Sequence, residues 1–92
     1  MSIEHVVAIG ALPVQIMNNN PDRVGWVVFN LGAAIGYIGL TSGVTALNGS
    51  QLAAAGGAAT ASAMDEGEYT TFEQYGMGAA ASTLYVLEFI GM

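Results

Sequence analysis

The sequence predicts an all-β fold, a small antiparallel β-sandwich or jelly-roll-like barrel of six to eight short strands. Three observations carry this expectation. Short apolar segments alternate at period two, the spacing of strands whose successive side chains face opposite ways. Clusters of Gly, Asn, Asp and Pro separate those segments at frequent intervals. The Ala-rich stretch that could make a helix, Gln51 to Met64, is interrupted by Gly56-Gly57, and each mid-helix glycine costs about 1 kcal/mol.

The chain has 92 residues, room for one β-sandwich domain over 1–92 with a modest core. Within it, 1–17 reads as an N-terminal arm or an edge strand. Met1 to Glu4 has no cationic region, so a signal peptide is not expected. Val14 to Met17 alternates as a short strand, and Pro13 sets it at an edge or a strand start, since proline cannot donate to a ladder. Asn18 to Asp22 is a dense turn signal.

Pro21 to Leu40 reads as a buried hairpin, with strands at 24–30 and 35–40. Asn30-Leu31-Gly32 supplies its turn, and Gly36 and Gly39 suggest a bulge or a close backbone approach. A further strand at 44–47 is closed by Asn48-Gly49, a strong two-residue hairpin signal. Gly32 and Gly49 are therefore expected at conformations that suit other residues poorly. Residues 51–64 then give a loop and a strand of small residues around Ala58 to Ala63, with a short helix as the alternative. Asp65-Glu66-Gly67-Glu68 is an acidic turn, 69–75 alternates as a strand, and Gly76-Met77-Gly78 opens a loop. The last strand, 83–90, puts Tyr85, Leu87 and Phe89 on one face and Leu84, Val86, Glu88 and Ile90 on the other. Trp26, Val28, Ile38, Val86 and either Leu84 or Leu87 are the expected core.

Charge sets limits on function. One Lys or Arg (Arg23) stands against seven acids, giving a formal charge of −6. Charged residues make up 9% of the chain, where ordinary domains carry about 25%. Nucleic-acid binding is excluded on that count, because one cation cannot neutralise a useful number of phosphates. A surface built from Gly, Ala, Ser, Thr and Asn is weakly protected against association. Self-association follows as the expectation: a homo-oligomer, a trimer first, with a pentamer or larger ring as alternatives. Ala53 to Ala63 would let such strands pack closely. With no cysteine, disulfides and thiolate metal sites drop out.

A membrane-embedded coat protein is the chief rival. Val24 to Leu47 carries no formal charge over a length that could span a bilayer as a helix. Its glycines, its internal Asn30 and its lack of cationic flanks beyond Arg23 argue against it.

The linear order of motifs offers one more lead. Asn20-Pro21-Asp22-Arg23 leads into the central strand, followed by Asn30-x-Gly32 and Tyr37-Ile38-Gly39. Val44-Thr45, Asn48-Gly49-x-x-Leu52 and the closing Leu84-Tyr85-Val86-Leu87-Glu88 complete the series. This resembles small β-sandwich virion structural proteins of tailed phages and related viruses, found as head decorations, fibres or tail accessories. The resemblance implies a non-enzymatic virion component that acts by assembling with itself and with a capsid or tail protein. It brings no catalytic, cofactor or metal positions with it.

The candidate sites are few. His5, the one histidine, has no nucleophile or ligand set at a telling spacing and reads as a strand or surface residue. Asp65, Glu66 and Glu68 offer hard oxygens for calcium but lack the ligand ladder of a known loop, so a solvated acidic turn is preferred. Asp22-Arg23 reads as a local or interfacial ion pair, and Arg23 as the natural partner of an acid elsewhere. Trp26 and Phe29 read as core. Met17, Met64, Met77 and Met92 pad either a contact surface or the core. A carbohydrate-binding module, stacking sugars on Tyr69, Tyr75 and Tyr85, is the remaining alternative. No Gly-rich loop is followed by Lys, so a nucleotide enzyme finds no support.

Overall fold

The computed structural model describes residues 2–45, 47–62 and 70–91. The acidic turn at 65–68, Ala63, Tyr69, Met64 and Met92 lie outside the described residues. Eight strands are present: β1 (Ser2–Ile9), β2 (Val14–Met17), β3 (Arg23–Asn30), β4 (Gly36–Gly39), β5 (Ser50–Leu52), β6 (Ala58–Ser62), β7 (Gln74–Gly78) and β8 (Ser82–Ile90). They form two four-stranded antiparallel sheets, ordered β1-β8-β3-β6 and β2-β7-β4-β5. That is the strand order of a jelly roll, and the all-β expectation holds.

The core lies between the sheets. From the first come Ile9, Trp26, Val28, Ala61, Leu84 and Val86; from the second Ile16, Met17, Ile38 and Leu52. Alternation produces it: Trp26 and Val28 on β3 and Leu84 and Val86 on β8 share the inward phase. Leu87, the other candidate, faces outward. So does Phe29, which stacks on Tyr85 with ring centroids 6.2 Å apart and is not a core residue.

The expected hairpin at 21–40 does not form. β3 and β4 belong to opposite sheets, and residues 31–35 carry the chain across the sandwich. Asn30 is the reason. Its buried amide holds the crossing open: Nδ2 donates to the Ala34 carbonyl (2.7 Å) and the Leu52 carbonyl (3.3 Å). Oδ1 accepts from the Gly32 amide (3.0 Å) and the Ser82 hydroxyl (2.9 Å). A side chain read as turn chemistry is instead a junction between the sheets. The uncharged stretch 24–47 thus contains β3 from Val24 onward and all of β4, in separate sheets. Among the described residues no helix is long and apolar enough to cross a membrane.

Three other expectations are corrected. Residues 44–45 are not a strand, and Val44 is a buried loop residue between β4 and β5. The strand expected at 69–75 is displaced to 74–78, preceded by a tight helical turn at 70–71. Glycines hid it, for Gly76 and Gly78 face inward where the layers approach closely. A Cβ on Gly76 would lie 3.1 Å from Leu84 Cδ1 and 3.2 Å from Ile16 Cγ2. The short strand β5 was not expected either.

Gly32 and Gly49 are required, but for a different reason from the one expected. Neither has a positive φ; among the described residues Ala55 (58°) and Gly56 (109°) do. A Cβ on Gly32 would fall 1.8 Å from Ser82 Oγ, and one on Gly49 2.7 Å from Val44 Cγ2 and 3.0 Å from Tyr37 Cβ. Gly49→Val is expected to lose about 1–3 kcal/mol by overpacking, measured by urea denaturation. Unchanged stability would mean the β4–β5 loop does not pack on β4 as described.

Candidate functional site

Arg23 opens β3 with its side chain fully buried. Nε donates to Glu88 Oε1 (2.8 Å), and a terminal nitrogen lies 2.6 Å from the same oxygen. The rest of the guanidinium donates to the carbonyls of Thr70 (3.1 Å), Phe72 (3.2 Å) and Asn18. Glu88 Oε2 lies 2.9 Å from His5 Nε2 on β1. One ion cluster thus ties β1, β3 and β8 to the chain at 18 and 70–72. The expected Asp22–Arg23 pair is not what forms. Asp22 is exposed, its amide held by Asn20 Oδ1 (3.0 Å). The true partner was findable, since Glu88 shares the inward phase of Leu84 and Val86, and a buried acid calls for the sole cation.

The cluster borders a cleft of about 230 Å³ lined by His5, Val7, Gln15, Ile16, Met17, Asn18 and Glu88. A larger depression of about 420 Å³ sits under the β4–β5 loop, lined by Ile38, Gly39, Leu40, Thr41, Gly43, Val44, Asn48 and Ser50. That lining offers no acid or base. In the cleft, Glu88 is already taken by Arg23 and His5. Neither concavity pairs a nucleophile with a free base. Among the described residues no three His, Cys, Asp or Glu side chains converge as a metal site.

The outer surfaces differ in character. On the β2-β7-β4-β5 sheet, Tyr75 donates to Glu73 (2.9 Å), as does Gln15 (2.9 Å), and Tyr37, Met77 and Gln51 lie alongside. The bond to Glu73 raises the Tyr75 phenol above its ordinary range, as the bond to Glu4 does for Tyr85. Tyr75 and Tyr85 face outward on opposite sheets, so they cannot form one sugar platform. On the β1-β8-β3-β6 sheet the outward rows are Val6, Tyr85, Phe29, Ala58 and Glu4, Leu87, Val27, Thr60, then Ser2, Phe89, Gly25, Ser62. Glu4 is the one charged member.

The edges complete the site. Among the described residues no strand pairs with the outer edge of β1 or of β6, the two ends of one sheet. Three antiparallel steps separate them, so β1 and β6 run in opposite directions. β6, Ala-Ala-Thr-Ala-Ser, has none of the charges or prolines that commonly guard an edge.

A two-sheet roll with this strand order belongs to the jelly-roll class of β-proteins. No family model and no curated protein matches the chain. A solved structure described as "Bacillus endospore appendages form a novel family of disulfide-linked pili" is similar, with a TM-score of 0.53. The likeness covers 100% of this chain and 88% of that one at 14% identity, and it is a likeness of fold.

Proposed function

We propose that this chain is a non-enzymatic structural subunit that works by assembling with copies of itself. The pair of oppositely directed edge strands on one sheet, with no strand beside either among the described residues, carries the reading. A copy moved sideways without turning over brings its β6 antiparallel beside β1 of its neighbour, and the sheet continues. Such a contact is heterologous, so it repeats into a ring or a filament. Main-chain bonding supplies the affinity, as in other strand additions. The appendage protein of similar fold belongs to disulfide-linked pili; a chain without cysteine has to rely on non-covalent contacts. The order of turn motifs favours a virion surface, as decoration, fibre or tail accessory, as the setting. A closed trimer or larger ring is one form the repeat can take.

A proline scan over Ala58 to Ser62 tests the pairing. Proline is tolerated in an edge strand where the amide faces solvent and disrupts the ladder where it does not. Variants that keep the wild-type melting temperature are expected to lose the large species seen by sedimentation and negative-stain microscopy. Polymers that persist in all well-folded proline variants would sink the proposal.

A further inference from the structure

We infer that the outer face of the β1-β8-β3-β6 sheet is a second interface, which binds the same face of another copy across a two-fold axis. This goes beyond edge pairing and does not depend on it. Val6, Val27, Phe29, Tyr85, Leu87 and Phe89 form a contiguous apolar field, with Val6 63% and Phe89 40% exposed. Contiguous fields of this kind, unlike scattered apolar residues, mark contact sites.

Charge points to the occupant. The chain carries −6, and its one Arg is buried against Glu88. Two copies therefore repel across most approaches. Among the described residues this face carries one acid, Glu4, which lies on the edge strand and already accepts from the Tyr85 hydroxyl. It offers nothing to a basic partner and places almost no like charge against a second copy.

Relief points the same way. Two strands from the β8 ridge of Tyr85, Leu87 and Phe89, across Phe29, Val27 and Gly25 on β3, lies a trough of Ala58, Thr60 and Ser62 on β6. A two-fold axis between them seats each ridge in the other copy's trough, the self-complementarity an isologous contact needs. The seating stacks β8, β3 and β6 of each copy, and three strands by six residues make a face of about 14 Å by 20 Å. Two such faces, roughened by side chains, bury somewhat less than about 1,000 Å², the size of a weak, reversible contact.

The absence of cysteine makes a direct test available. Leu87→Cys and Thr60→Cys are prepared separately and oxidised alone and mixed. The two-fold seating predicts a several-fold excess of the mixed disulfide over either homodimer. Edge pairing does not produce it, because Leu87 and Thr60 of the next copy would be two strands, about 10 Å, apart, beyond disulfide reach. Leu87→Glu is a folded control, since the side chain points outward, and it is expected to remove the dimer from sedimentation profiles. Crosslinks at or below the statistical ratio, or a dimer indifferent to Leu87→Glu, would overturn the inference and leave the proline scan to judge the edges separately.

Discussion

Arg23→Met is expected to lose about 3–5 kcal/mol of stability, the largest effect of any single substitution considered. The cost comes from what is left behind. Glu88 would keep its carboxylate at 10% side-chain exposure with only His5 beside it. The carbonyls of Asn18, Thr70 and Phe72 would lose their guanidinium donors as well. A small domain holds only about 5–15 kcal/mol in all, so the variant should sit at or past the edge of unfolding. Arg23→Lys should rescue little, because one ammonium cannot reproduce a planar fork that serves four acceptors. The double variant Arg23→Met/Glu88→Leu should recover part of the loss by removing the orphaned charge, but not the part due to the three carbonyls. Urea midpoints of the four proteins check this. A single variant within about 0.5 kcal/mol of wild type, the range of an ordinary surface change, would mean the cluster does not hold the layers together.

The sequence made the strands legible wherever large side chains alternate. Val24 to Asn30 and Thr83 to Ile90 announce themselves because Trp26, Val28, Leu84 and Val86 are bulky and in phase. Where glycine takes the inward positions, as at Gly76 and Gly78, the same pleat carries no size signal and reads as a loop. The reverse error struck 44–47, where Val44 is buried from a loop by packing on Gly39 and Gly49. Connectivity was the least visible feature. A local reading assumes that neighbouring strands pair, whereas here only β4 and β5 among consecutive strands share a ladder. Long-range partners explain that, and no short window contains them.

The proposed assembly surface was legible in kind but not in place. Low charge and the small-residue stretch Ala53 to Ala63 raised self-association as an expectation, and β6 lies within that stretch. The apolar outer face escaped notice because Tyr85, Leu87 and Phe89 look the same in sequence whether they face a core or another molecule. Only the pairing of β8 with β1 and β3 shows that their side is the outer one.

Asn30→Leu is the second large effect expected, a loss of about 3 kcal/mol from unsatisfied buried groups. The substitution keeps the branching at Cγ but puts larger methyl groups in place of the amide, so part of the loss is overpacking. It removes four hydrogen bonds at once: those to the Ala34 and Leu52 carbonyls, the Gly32 amide and the Ser82 hydroxyl. Those partners lie where the chain crosses between sheets, and water reaches the site poorly because Asn30 is 0% exposed. Asn30→Asp separates polarity from shape. Its carboxylate can still accept from Gly32 and Ser82, but it turns a negative oxygen toward the Ala34 and Leu52 carbonyls. Burial and that repulsion raise the carboxyl's folded-state pKa above its unfolded value, so the neutral form is the one the fold tolerates. Sign follows directly: the Asp variant should be weakest near neutral pH and regain stability as acid protonates it, relative to wild type at each pH. Urea denaturation of both variants at neutral and acid pH reads this out. If Asn30→Leu unfolds at the wild-type midpoint, the crossing is held by backbone alone and the junction assigned to Asn30 is wrong.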